Sequence, residues 1–191
     1  MNDTNVFTAS IYDTLSSFEL TGLAFRDFFN AEDMTSRQRA AGQLCPESGK
    51  WLEAAWLDME YDFSALFLGP MAPLAAPYAS VYLDDEPLLM GATTLGVREF
   101  LHSVGLFVSE ENRIPDDHIS FELELVVMLS ACARKSPQYH DALNRFVCGH
   151  LELWLPAFIE KINNNAKTSA IKHIALLLTN WFDELKARVI L

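Results

Sequence analysis

Four of the chain's eight prolines, Pro70, Pro73, Pro77 and Pro87, fall within a single stretch of a sequence that otherwise carries helical spacing. Each removes a backbone donor and fixes its own φ, so residues 69–87 cannot form a regular helix. The same stretch holds Met71, Leu74, Tyr78, Val81, Tyr82 and Leu83, too apolar for a solvated tether. It reads as an ordered loop packed against helices, the kind of segment on which scaffolds place function.

The flanking sequence is helical in pattern. From Val6 to Phe29 the apolar positions Phe7, Ile11, Leu15, Phe18 and Phe25 recur at the intervals of one buried helix face. A short helix is expected around Ser36–Leu44, ended by Cys45-Pro46, and another over Lys50–Phe67, stopped by Gly69-Pro70. Leu88–Gly105 is helical, and a second loop, 106–116, leads into a helix beginning near Asp117 and running to about Ala133. Its expected N-terminus is Pro115-Asp116-Asp117, because acids there accept orphan N–H groups and meet the positive end of the dipole. Further helices fit Pro137–Leu153, Pro156–Asn163 and Thr168–Leu191, with Asn163-Asn164-Asn165 as a break. No strand pattern exceeds Val81-Tyr82-Leu83. The expectation is an all-α fold, a single-domain helical bundle over residues 1–191 with a packed proline-rich loop.

Charge is unevenly distributed. Of 191 residues with a net charge of −12, the stretch Trp51–Ala133 holds fourteen acids and two bases, Arg98 and Arg113, and so accounts for the whole imbalance. Such a field excludes general nucleic-acid binding, which needs a Lys or Arg at each phosphate, and attracts basic or cationic partners. The alternative is a solvated acidic surface that keeps the protein soluble. The three cysteines, Cys45, Cys132 and Cys148, form no CxxC pair, which points to buried reduced thiols rather than a disulfide framework or a zinc site. With no export signal and no long apolar run, the expected location is cytoplasmic, without membrane insertion.

Catalytic signatures fail on inspection. The nearest approach to a P-loop, Gly42 to Gly49-Lys50-Trp51, has the wrong spacing and a Trp after the Lys. A single Glu99–His102 pair is half of what a di-iron bundle needs. The Asp116-Asp117-His118 cluster is the one local candidate for acid–base work; the plainer reading is helix capping and packing. Tyr78 and Tyr82, four apart in the proline-rich loop, are either buried with satisfied hydroxyls or one wall of a peptide site. No catalytic residue and no metal ligand is assigned, and the reading favours a binding module over an enzyme.

Three strings in order resemble the TorD/DmsD-type molybdoenzyme chaperones. Phe63-Ser64-Ala65-Leu66-Phe67-Leu68-Gly69-Pro70 looks like that family's aromatic-x-x-Leu-Phe-x-Gly-Pro string. Pro77 to Glu86, with Leu88-Leu89-Met90-Gly91 and Thr94-Leu95, resembles its signature loop, and Pro115-Asp116-Asp117-His118-Ile119 its Pro-acid-Asp-His motif opening a helix. The resemblance implies a cytoplasmic chaperone that binds the twin-arginine leader of a molybdopterin-dependent reductase, of dimethyl sulfoxide or trimethylamine N-oxide type. It would hold the apo-form for cofactor insertion before Tat export. Residues carried over by position as leader-binding are Tyr78, Tyr82, Arg98, Pro115, Asp116, Asp117 and His118. The resemblance also implies a monomer or a domain-swapped homodimer, and no cofactor beyond weak guanine-nucleotide binding.

Joined to the charge map, this predicts an apolar leader segment in a groove walled by Tyr78 and Tyr82, with the paired arginines against Asp116 and Asp117. The alternatives are a non-catalytic adaptor for the mature reductase or another folded partner, and an enzyme using Asp117 and His118.

Overall fold

The computed structural model describes residues 11–50, 53–69, 71–86, 90–106 and 114–189. Among these the regular elements are helical: α1 (Ser17–Asn30), α2 (Met34–Leu44), α3 (Glu53–Phe63), α4 (Ser80–Leu83), α5 (Ala92–Ser103), α6 (Ile119–Ala133), α7 (His140–Phe146), α8 (Glu152–Asn165) and α9 (Ser169–Val189). The described residues contain no strand, only an isolated antiparallel bridge between Tyr78 and His118. The fold is all-α, and none of these helices is long and apolar enough to cross a membrane.

α6 is apolar almost all round, as a central helix must be. α1 and α7 pack on it, α2 lies against α1, and α9 runs back across α1, α3 and α8. A chain of rings carries the core from α1 into α8: Phe28 meets Phe63 edge-on at 5.5 Å, Phe63 meets Phe67 at 4.8 Å, and Phe67 meets Phe158 at 5.9 Å. Arg37 is buried at the edge of this chain, its guanidinium 3.6 Å above the Phe63 ring and paired with Glu60. Cys45, Cys132 and Cys148 form no disulfide; Cys45 and Cys132 are buried as expected, whereas Cys148 is only half-buried.

Several helix boundaries differ from the sequence expectation, each for an identifiable reason. The pattern expected to make one helix over 6–29 breaks at a turn after Tyr12. There Ser16 and Glu19 form a reciprocal capping box, with Ser16 N donating to Glu19 Oε2 at 2.7 Å, and α1 starts anew at Ser17. Residues 6–10 of the expected helix lie outside the described residues. Ile11 nevertheless stays buried against Met128, Ala131 and Cys132, which is why the apolar spacing runs through the break.

Val81-Tyr82-Leu83 is one turn of helix, not a strand. Pro156, expected to open a helix, sits inside α8, on an exposed side where water can satisfy the carbonyl left without a donor. α8 itself follows directly on a π turn, Val147–Leu151. Asn163-Asn164-Asn165 form the last turn of α8, which ends at Asn165 with Ala166 as its C-cap, so the break falls directly after the expected run. The stop is made from outside: the Asp62 carboxylate of α3 accepts from Lys167 N (3.0 Å), Thr168 N (2.8 Å) and Thr168 Oγ1 (2.7 Å), fixing the turn into α9.

α9 is pinned to α1 through Trp181. Its ring stacks on Phe18 at 5.2 Å, and its Nε1 donates to the Phe18 carbonyl at 3.0 Å. This approach requires a glycine opposite. A Cβ on Gly22 would lie 2.6 Å from Val127 Cγ2 and 2.7 Å from Trp181 Cζ2. Gly22→Ala is therefore expected to destabilise the protein by about 1–3 kcal/mol through overpacking, measured as the shift of the urea unfolding midpoint. An unchanged midpoint would mean that α9 is not held this closely.

Candidate functional site

The proline-rich loop leaves α3 through a π turn, Ser64–Leu68, and reverses at Gly69, where φ is +89°. A Cβ there would sit 2.3 Å from the Met71 carbonyl oxygen, so this turn requires glycine. The loop then folds back on its own helix, with Leu74 N donating to Ala65 O at 3.2 Å and Ala75 N to Leu66 O at 2.8 Å. Ala75 and Ala79 are fully buried.

The proline-rich loop is joined to the segment that opens α6 by the Tyr78–His118 bridge; of the other loop expected to flank a site, 106–116, residues 107–113 lie outside the described residues. Ala79 N donates to Asp117 O at 3.1 Å, and Ile119 N donates to Pro77 O at 2.9 Å. Asp117 completes the joint. Its side chain has no solvent exposure; Oδ2 accepts from Ser80 N at 2.8 Å, at the start of α4, and Oδ1 accepts from Thr94 Oγ1 at 2.8 Å, on α5. One carboxylate thus ties the loop, α5 and the entry to α6 together. It cannot meet an incoming arginine unless these partners are displaced.

Asp116 is also engaged, accepting from Arg98 Nε (2.7 Å) and Nη2 (3.1 Å) in a two-pronged pair. The expectation that these acids cap α6 is corrected. The N-cap is His118, whose Nδ1 accepts from Ser120 N at 3.2 Å and lies 2.7 Å from Ser120 Oγ. The carboxylates are taken up by partners elsewhere in the chain, leaving the imidazole to do the capping. Burial pulls the His118 pKa down to about 4, against a smaller opposing attraction from Asp117. A neutral imidazole spent on a helix end is a poor general base at neutral pH.

Pro115 is buried beside this joint. The Tyr78 ring stands 5.0 Å from that of His118, half-buried, with its hydroxyl pKa raised by burial and by the Asp117 charge. Tyr82 projects the other way, against Trp154 (5.6 Å) and Phe158 (6.2 Å) of α8, with Lys161 Nζ 4.8 Å above its ring. Its hydroxyl is buried without a partner, and burial raises its pKa. The structure therefore gathers Tyr78, Pro115, Asp116, Asp117, His118 and Arg98 at one joint, and sets Tyr82 of α4 beside it, packed against α8.

A second layer was not anticipated from sequence. Glu122, one turn along α6 from His118, is fully buried; it accepts from Trp154 Nε1 at 3.0 Å and pairs with His150 Nε2 at 2.7 Å. Burial raises the Glu122 pKa. Burial also pulls His150 down, but the Glu122 charge and hydrogen bond outweigh it and leave His150 raised. Both shifts act to keep the shared proton on the pair. The only local trace of this layer was the four-residue spacing of His118–Glu122 and His150–Trp154. Asp84 is similarly used, accepting from Thr93 N (3.1 Å) and Thr93 Oγ1 (2.5 Å) at the start of α5.

Beside the joint, α5 and the α7–α8 segment enclose a cleft of about 270 Å³, lined by Val97, Phe100 and Phe146 together with Thr93, Arg145 and His150. No group of three or more metal-ligating side chains occurs among the described residues.

Residues 30–160 match the family described as nitrate reductase delta subunit. The chain belongs to that family. Among proteins similar to this delta-subunit-family chain is the chaperone protein TorD of Vibrio cholerae, 37% identical over 113 residues, covering 56% of this chain and 51% of the relative. The TorD of Shewanella pealeana is 30% identical, covering 68% and 59%. The Tat proofreading chaperone DmsD of Salmonella typhi is 29% identical, covering 53% and 47%. The chain spans about half the length of the first of these curated relatives. The fold is shared with a redox enzyme maturation protein from Archaeoglobus fulgidus, at a TM-score of 0.59 over 88% of this chain and 93% of that one, with 20% identity.

The buried imidazole carries a pH prediction. His118 takes a proton less readily folded than unfolded, so its folded-state pKa lies below the usual 6.5. Stability is unaffected above that value and is lost as pH falls toward 4. His150, raised in pKa, acts in the opposite sense: its contribution is present below pH 6.5 and fades above it. His118→Asn keeps a capping side chain and removes the titration. Relative to wild type, it is expected to spare about 2–3 kcal/mol of the stability lost between pH 7 and pH 4.5, measured by urea unfolding at both values. Parallel losses in the two proteins would show that His118 protonates freely in the fold.

Proposed function

We propose that this chain is a non-catalytic chaperone which binds the twin-arginine leader of a molybdopterin-dependent reductase in the cytoplasm. It holds the apo-form while its cofactor is inserted, then yields it for Tat export. The observation that carries this reading is the joint at Asp117. In a member of the delta-subunit family, whose relatives include TorD and DmsD chaperones, the two strings resembling the leader-site motifs form one hydrogen-bonded unit. A loop fixed this firmly by buried bonds suits recognition, because little ordering entropy remains to be lost on binding.

Within this reading the named residues divide by burial. Pro115, Asp116, Asp117 and His118, with Arg98, hold the loop in shape; Tyr78 and Tyr82, each half-buried, supply aromatic surface to the apolar part of the leader. The client is a reductase of dimethyl sulfoxide or trimethylamine N-oxide type, and the working form is the monomer or a domain-swapped homodimer. No nucleotide has a role, so affinity for the leader is expected to be unchanged by added GTP.

The test is calorimetric titration with a panel of molybdoenzyme leaders and one unrelated Tat leader. One-to-one saturable binding of one molybdoenzyme leader alone is expected. Tyr78→Ala is expected to weaken it with stability retained. Asp117→Asn is expected to weaken it while also lowering stability by about 1–3 kcal/mol, since the loop loses its anchor. Failure of every leader to bind, with the mature reductase bound instead, would replace this reading by an adaptor.

A further inference from the structure

α3 and the loop that follows it carry large apolar side chains on both sides. Trp56, Met59, Phe63, Leu66 and Phe67 face the core. On the other side Leu57, Tyr61, Leu68, Met71 and Leu74 are 49%, 69%, 61%, 84% and 46% exposed. Leu57, Tyr61, Ala65 and Leu68 follow one another at helical intervals. The bonds from Leu74 N to Ala65 O and from Ala75 N to Leu66 O bring the returning loop alongside them. The result is one continuous apolar stripe, fixed in shape by the glycine-dependent turn at Gly69, of a kind that marks an interaction site.

The charge around this stripe says what covers it. From residue 51 to residue 97 the chain has no Lys, Arg or His, and the base nearest along the chain is the exposed Lys50 just before α3. Glu53 and Asp58 are exposed and, among the described residues, take part in no ion pair. On helical spacing they adjoin Leu57 and Tyr61 at the N-terminal end of the stripe. The stripe therefore begins beside two carboxylates without ion-pair partners among the described residues and continues as apolar surface, which suits an occupant that is basic and then apolar, in that order.

We propose that this stripe seats the twin-arginine leader itself, with its arginines over Glu53 and Asp58 and its apolar segment over Tyr61, Leu68, Met71 and Leu74. The peptide thus runs parallel to α3 toward the loop bearing Tyr78. The proposal rests on the leader reading above and adds the place and direction of binding. It also supplies free carboxylates for the arginines, which Asp117, fully engaged, does not. Dimensions agree: α3 is about 16 Å long at 1.5 Å per residue, and a leader's apolar segment of about 7–15 residues extends across the stripe into the loop.

The test uses two double variants of the full chain, Leu68→Ser with Met71→Ser and Glu53→Lys with Asp58→Lys. All four positions are exposed, so folding is retained. Each is titrated with the leader that wild type binds, at low and at physiological salt, and each is sized by sedimentation. The serine variant is expected to bind about tenfold or more weakly at both salts. The lysine variant is expected to bind about tenfold more weakly at low salt, with the gap narrowing as salt screens the charges. If both variants bind as wild type does, this placement is overturned while the leader reading stands. If wild type binds no leader, both fall. If the serine variant changes self-association but not leader affinity, the occupant is a second copy of the chain and the proposal is wrong.

Discussion

The structure turns on one buried carboxylate. A charge without solvent is costly unless its oxygens are satisfied, and Asp117 meets that condition only when Ser80 N and Thr94 Oγ1 both reach it. The proline-rich loop depends on such outside help. Prolines leave it short of donors, so it cannot close on itself as a helix would. Its backbone is fixed instead by what it exchanges with the 117–119 segment and with the π turn it leaves. Loop, α5 and α6 consequently take up their positions together.

Below this joint the polar design continues into the core. α6 is mostly apolar, yet it carries His118 at its cap and Glu122 one turn on, and Glu122 reaches His150 and Trp154 across to the α7–α8 segment. Trp154 in turn packs on Tyr82, returning to the loop from underneath. The aromatic loop is thus held from two directions, by a carboxylate at its entry to α4 and by an aromatic floor on α8. The surface it presents is set by contacts within the chain.

What was legible in sequence follows a physical divide. The all-α architecture, the packed loop and the gathering of Tyr78 with Asp116, Asp117 and His118 rest on local spacing and on ordered motifs. What escaped was decided by partners distant in the chain. Asp116 and Asp117 have the chemistry of helix caps, but Arg98, Ser80 and Thr94, between 18 and 37 positions away, take up their oxygens. The break after the asparagines at 163–165 was legible in composition, but the carboxylate that fixes the turn behind it, Asp62, lies over a hundred residues earlier. Glu122, in an apolar helix, gives no local sign that a histidine and a tryptophan await it.

The stacking of Trp181 on Phe18 has a consequence for the order of assembly. The bond from its indole to the Phe18 carbonyl spans 163 positions, so the groove on α1 around Gly22 is lined early in synthesis and filled late. Until Trp181 leaves the ribosome, Phe18 and the neighbouring Phe25 present uncovered aromatic surface, the condition under which nascent chains associate wrongly. A protein proposed to shelter the unfinished form of another thus passes through an unfinished form of its own, closed only when α9 comes to rest on α1.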